Sequence, residues 1–119
     1  MNTALQPKPA DTFDPDRAAA FEARFVNALN ESGMLQLVSL GHRTGLFNRL
    51  ADGAPVTVES LARSSRLNSR YLREWLGGLT VAGVVEHDPV TMTYRLPPEH
   101  GNLMSDHGDA NFSVFAHLN

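Results

Sequence analysis

Residues 55–96 read PVTVESLARSSRLNSRYLREWLGGLTVAGVVEHDPVTMTYRL, and the order of signals in this stretch decides the fold. Thr57 is placed to cap a short helix that carries Leu61 and Ala62 on one face. Asn68 is placed to cap a second helix. Along it Tyr71, Leu72, Trp75, Leu76, Leu79 and Ala82 recur at steps of three and four, a single apolar stripe. Gly77 and Gly78 interrupt good helix formers at a cost of about 1 kcal/mol each, which close packing against a neighbouring backbone would explain. Gly83 is a C-terminal stop. Val84 and Val85 read as the start of a strand, Asp88-Pro89 as a turn, and Met92 to Leu96 as an alternating second strand. Two helices followed by a hairpin make a winged helix-turn-helix. The expected fold class is mainly α with a small β-hairpin wing.

Upstream, residues 1–13 hold Pro7 and Pro9 and few large apolar side chains, and read as a disordered arm. Asp14-Pro15 is an N-cap followed by proline at the first helical position, with Asp16 where the helix dipole favours negative charge. Ala18, Phe21, Phe25, Ala28 and Leu29 then form a stripe, opposite Arg17, Glu22, Arg24, Asn27 and Glu31. Ser32-Gly33 is expected to break or bend this helix. Met34 to Leu40 is apolar at Met34, Leu35, Leu37, Val38 and Leu40, so it must be buried on more than one side. Gly41 to Gly45 reads as a small turn, and Leu46, Phe47 and Leu50 as a third helix ending near Asp52-Gly53.

Downstream, Pro97-Pro98 starts a helical turn with Glu99, His100, Leu103 and Met104. Ser105 to Asn111 reads as a loop, and Phe112 to Leu118 as the opening of a further helix cut off at Asn119. The expected division is therefore a disordered arm at 1–13, a helical dimerisation segment at 14–53, the winged helix at 54–104, and a linker with the start of a truncated helix at 105–119. The leading helices carry more large apolar residues than a small winged-helix body covers, and contiguous apolar patches beyond a few hundred Å² are rare on monomers. Phe21, Phe25, Leu29, Met34, Leu37 and Val38 are accordingly the expected dimer interface of a homodimer.

Composition narrows the function. The chain has 119 residues, 42% hydrophobic and 19% charged, with net charge −3 and no cysteine. That size suits one domain with a modest core. Disulfides and cysteine-ligated zinc are excluded, and a cytoplasmic location is expected from the absence of cysteine and of a basic-then-apolar leader. No uncharged apolar run reaches the roughly 18 residues of a membrane span.

The sharpest activity for a winged helix is DNA binding, and Arg63, Arg66, Arg70 and Arg73 flank the turn between the two helices. Glu59 and Glu74 share those helices, however, and the wing reads Glu86-His87-Asp88, a poor match for phosphate. From Pro55 to Pro98 five arginines face four carboxylates, a net of +1. The arginines are therefore expected to be solvated or ion-paired within the chain, with nucleic acid an alternative partner only. His100, His107 and His117 lie near Asp106 and Asp109 without the i, i+4 helical spacing of a zinc site, so no metal site is expected. His42 reads as a turn or cap residue. No G-x-S-x-G elbow and no strand-borne phosphate loop occurs, and no catalytic or cofactor-binding residue is identified.

Several strings together resemble a known family: SLGHRTGLF at 39–47, Leu61-Ala62, NSRYLREWLGGL at 68–79, GVVE at 83–86 and YRLPPEH at 94–100. They look like the N-terminal winged-helix domain of a family of bacterial S-adenosylmethionine-dependent methyltransferases and, more loosely, like the dimerisation domain of small-molecule O-methyltransferases. The resemblance covers the chain from about Phe21 onward. It implies a module that pairs two protomers and helps shape the pocket for a small-molecule acceptor. It also implies a downstream Rossmann-like domain for S-adenosylmethionine. That catalytic domain should follow the helix begun at Phe112, and its glycine-rich loop is not among these residues, so no family cofactor residue is carried over and this chain is not expected to methylate by itself. A winged-helix DNA-binding transcriptional regulator is the alternative, and a stand-alone interaction protein a third reading.

Overall fold

The computed structural model describes residues 12–108 and 110–118, apart from the side chains of residues 115, 117 and 118. The expected disordered arm lies outside the described residues up to Asp11, while Thr12 and Phe13 are exposed and non-helical. The chain divides into two compact units, Met1–Asn30 and Glu31–Asn119.

The first unit is helical from Pro15, where α1 (Pro15–Thr44) begins. Asp14 caps it as expected: its Oδ1 accepts from the N–H of Asp16 at 3.0 Å and of Arg17 at 3.4 Å. From Ala19 to the end of this unit every residue is exposed.

The second unit contains the rest of α1, followed by α2 (Leu46–Leu50), α3 (Val58–Ser65), α4 (Ser69–Val81), strands β1 (Glu86–Asp88) and β2 (Thr93–Arg95), α5 (Pro98–Met104) and a closing 3₁₀ helix (Phe112–Leu118). Four boundaries differ from the sequence reading, three in the helices and one in the wing. Ser32-Gly33 does not interrupt α1, because the residues just beyond it pack: Met34, Leu35, Leu37 and Leu40 lie against the core, and Val38 is inside it. Gly41 is likewise a helical residue rather than a turn. A Cβ there would collide with the Phe47 ring and come within 2.6 Å of Trp75 Cζ2, so glycine lets α1 lie directly on the Phe47–Trp75 pair. The turn is Gly45 alone, at φ +74°. At the far end, Phe112–Leu118 closes as a 3₁₀ helix instead of opening an α-helix.

The helix-turn-helix follows its caps. Thr57 Oγ1 accepts from Ser60 N–H at 3.0 Å while Ser60 Oγ accepts from Thr57 N–H at 3.1 Å, a reciprocal capping box. Arg66 ends α3 in the left-handed region at φ 62°. Asn68 Oδ1 accepts from the N–H of Arg70 at 2.8 Å and of Tyr71 at 3.3 Å, starting α4. The α4 stripe then buries Leu72, Trp75, Leu76 and Leu79. With Leu46, Phe47, Leu50, Leu61, Val85 and Leu96 they form the heart of the core, each large side chain contributing about 1.5–3 kcal/mol by burial.

The wing is an antiparallel pair in the register Glu86↔Arg95, His87↔Tyr94 and Asp88↔Thr93. It starts two residues later than the sequence suggests. Val84 and Val85 instead donate to the Leu79 carbonyl at 2.9 and 3.3 Å, committing their N–H groups to the end of α4. A feature not visible in the sequence completes the wing: Val56 bridges Tyr94 through two 2.8 Å hydrogen bonds, tying the segment before α3 to β2. Asp88 Oδ1 accepts from Val90 N–H at 2.9 Å and shapes the turn. His100 on α5 bonds the Val84 carbonyl through Nδ1 at 2.7 Å. Among the described residues no helix is long and apolar enough to cross a membrane.

Candidate functional site

Two surfaces bear on function, and they are built differently. In the first unit, Phe21, Phe25 and Leu29 follow one another at steps of four along α1, so they share a face. The Phe21 and Phe25 rings stack with centroids 6.1 Å apart and an interplanar angle of 18°. All three residues are more than half exposed, at 62%, 55% and 57%. Val26 beside them is exposed as well. The other residues of the expected interface belong to the second unit. Val38 is buried in the core there, and Met34 and Leu37 are half-buried against it. The exposed apolar row thus consists of Phe21, Phe25 and Leu29, while Met34, Leu37 and Val38 pack inside their own unit.

The second surface is the helix-turn-helix and its wing. Arg63, Arg66, Arg70 and Arg73 are all exposed. Arg73 lies 3.7 Å from Glu59, linking α4 to α3 at the surface, and Arg95 lies 3.4 Å from Glu86 across the wing. Exposed pairs of this kind contribute roughly 0–1 kcal/mol, yet each cancels a positive charge that phosphate would need. Arg66 is held by its backbone role as the α3 cap, its N–H donating to the Ala62 carbonyl at 2.8 Å. The wing tip carries Pro89, Val90 and Met92, with Val90 and Met92 exposed, and no lysine or arginine. His87 packs its ring on Tyr94 at a centroid distance of 4.4 Å, with its Nε2 buried and unpartnered.

Two of the histidines serve the fold. His100 ties α5 to Val84, and His42 Nδ1 lies 3.1 Å from Ser113 Oγ. The Ser113 hydroxyl donates to Asn111 Oδ1, and Asn111 Nδ2 donates to Asp106 Oδ1 at 2.7 Å. Asn48 Nδ2 donates to Asp106 Oδ2 at 3.1 Å. These amide donors hold the Asp106 carboxyl below the usual carboxylate range, with His42 and His107 adding a lesser pull. No sequence signal points to this network, because its members lie far apart: His42 and Ser113 are separated by 71 positions and Asn48 and Asp106 by 58. Among the described residues no group of three or more His, Asp or Glu could hold a metal ion.

The elements, their caps and the Val56-bridged wing define a winged helix-turn-helix domain. The chain belongs to the Rv2258c-like winged HTH domain family, whose model matches residues 32–106. No curated protein sequence matches the chain. Among solved structures it is similar to an O-methyltransferase family 2 protein from Planctomyces limnophilus in complex with apigenin, at 14% identity over 80% of this chain and 28% of that one, TM-score 0.64. It is also similar to PigF with SAH, at 15% identity over 89% of this chain and 32% of that one, TM-score 0.62. The S-adenosylmethionine-dependent methyltransferase SibL in its apo form matches at 27% identity over 66% of this chain and 22% of that one, TM-score 0.56. The chain thus spans between about a fifth and a third of the length of these proteins. It holds the winged-helix part of their fold. Among the described residues the only strands are the antiparallel β1 and β2, and no parallel sheet forms.

Proposed function

We propose that this chain is the N-terminal association and substrate-pocket module of an S-adenosylmethionine-dependent methyltransferase, acting as a homodimer. The observation that carries the reading is the row Phe21, Phe25 and Leu29, three large apolar side chains left more than half exposed on one helical face. A second copy of the same helix covers such a row by self-complementary packing. The similarity to two methyltransferase structures supports this enzyme class. The apigenin held by the Planctomyces limnophilus protein supports a small-molecule acceptor.

Cofactor binding belongs outside these residues. An adenosine-bearing cofactor needs a crevice at the ends of parallel strands and a glycine loop at a helix N-terminus. The sheet among the described residues is a two-stranded antiparallel wing. The residues present therefore do not fit S-adenosylmethionine, and the module's part in methyl transfer is association and the shaping of one wall of the acceptor pocket. The ion pairs of Arg73 and Arg95 and a wing tip without lysine or arginine count against the DNA-binding alternative.

The test is the reading frame beyond Asn119 and its product. The proposal requires a glycine-rich strand-to-helix loop there, and S-adenosylmethionine binding by the extended protein but not by the 119-residue chain. A frame without that loop, or cofactor binding by this chain alone, would overturn the enzyme assignment.

A further inference from the structure

The first unit carries its charges unevenly about the apolar row of α1. Successive helical residues are about 100° apart, so Phe25 lies between Phe21 and Leu29, about 40° from each. Glu22 falls about 60° to one side of Phe25, while Arg17 and Arg24 fall about 80° and 100° to the other. All three charged residues are exposed, and among the described residues none of them makes an ion pair. The residues three and four positions from Glu22 are Ala18, Ala19, Phe25 and Val26, so its own helix offers it no cation. A carboxylate at the border of an apolar row is costly to cover unless the covering surface brings a positive charge.

The orientation of a second copy decides what Glu22 meets. Placing Ala18 and Phe25 at a, and Phe21 and Ala28 at d, puts Arg17 and Arg24 at g and Glu22 and Leu29 at e. In a parallel pair each g flank lies beside the partner's e flank. Arg17 then meets the partner's Glu22, twice by symmetry, and the apolar stem of Arg24 lies along the partner's Leu29. In an antiparallel pair of this segment each flank meets its own kind, carboxylate beside carboxylate and arginine beside arginine, which is repulsive.

We propose that two copies of the chain pair in parallel through Pro15–Asn30, with Arg17 of each copy bound to the partner's Glu22. The inference rests on the association reading given above and adds the orientation of the partner and the residues that set it. The aromatic row supplies the buried area, and the two ion pairs select the direction.

The test combines engineered cysteines with charge reversal. The chain has no cysteine of its own, so a single introduced thiol reports on its position alone. A parallel pair sets every a and d residue opposite itself, within disulfide reach, so Ala18→Cys and Ala28→Cys should both form two-chain disulfides on mild oxidation. Ala23→Cys, on the far side of the helix, should not. An antiparallel pair brings at most one of positions 18 and 28 opposite itself, because they lie about 15 Å apart along the axis. By sedimentation equilibrium, Arg17→Glu and Glu22→Arg should each raise the dimer dissociation constant about threefold or more, and the double variant should return to within about twofold of the parent. A parent chain that stays at 13.0 kDa would overturn the association reading and this inference with it. A dimeric parent in which Ala18→Cys or Ala28→Cys fails to cross-link, or in which the double variant is no tighter than the single ones, would overturn the parallel orientation alone.

Discussion

The indole N–H of Trp75 on α4 donates to the backbone carbonyl of Leu37 on α1 at 2.9 Å. The same Leu37 places Cδ1 within 2.6 Å of where a Cβ on Gly78 would stand. One residue of α1 thus fixes α4 in rotation and in distance. Trp75→Phe keeps the ring against Phe47 but removes the donor, and should cost about 1–2 kcal/mol. Trp75→Ala opens a large hole and should cost about 3–5 kcal/mol, enough to unfold a domain of this size. Urea denaturation followed by circular dichroism gives the Trp75→Phe value, and Trp75→Ala should show a transition at much lower urea or none. A Trp75→Ala variant as stable as the parent would contradict the core assignment.

The two adjacent glycines of α4 should respond differently. Nothing lies within 4 Å of a Cβ built on Gly77, so Gly77→Ala should stabilise by about 0.5–1 kcal/mol through helix propensity. Gly78→Ala gains the same propensity but must push Leu37 aside, at a packing cost of about 1–3 kcal/mol. Thermal melts should place Gly77→Ala above the parent and Gly78→Ala below Gly77→Ala. The reverse order would mean that α4 sits differently on α1.

Arg66 occupies a left-handed position at φ 62° that glycine adopts without strain. Arg66→Gly should raise stability by up to about 1 kcal/mol. It should also leave duplex DNA affinity, expected to be weak, unchanged at about 0.15 M salt, where the Debye length is about 8 Å. Salt-resistant, sequence-selective duplex binding that is lost in Arg66→Gly or Arg70→Ala would reinstate the nucleic-acid reading.

Stability should fall in acid through two carboxylates. Backbone hydrogen bonding from Val90 lowers the Asp88 pKa below its ordinary 3.8, and side-chain hydrogen bonding from Asn111 and then Asn48 does the same for Asp106. A carboxylate depressed in the folded state contributes stability that is complete above the unfolded value and is lost as pH falls through the lower folded value. Both groups are solvent-exposed, so the effect is small and shrinks in salt. Urea midpoints between about pH 7 and pH 2 should drop below about pH 4, and Asp106→Asn should flatten that drop. An identical acid profile in the variant would remove Asp106 from this role.

The helix-turn-helix was legible in the sequence because its signals are local. Thr57 and Asn68 cap helices only a few residues away, and the α4 stripe falls at a fixed helical period. What was not legible depends on distant partners. Gly41 reads as a turn until Phe47 and Trp75 are seen pressed against it, and Ser32-Gly33 reads as a break until the packing of Met34 to Val38 carries α1 through. Val84 and Val85 have strand composition, but the unsatisfied end of α4 claims their N–H groups first. The exposed row on α1 was readable as a stripe. That Val38 belongs to the core rather than to that row was not, because periodicity assigns a face to the helix and not an occupant to the face.

The pairing claim is tested most directly by sedimentation equilibrium on the 119-residue chain at micromolar concentration, beside Phe25→Glu. A charge placed in the centre of the Phe21, Phe25 and Leu29 row is costly to bury in an interface and costs little on an exposed helix face. The account predicts a mass twice the 13.0 kDa of the chain, falling to the single-chain mass in Phe25→Glu with the helical circular dichroism unchanged. A parent chain that remains at 13.0 kDa across the concentration range, or a Phe25→Glu variant that stays paired, would contradict it.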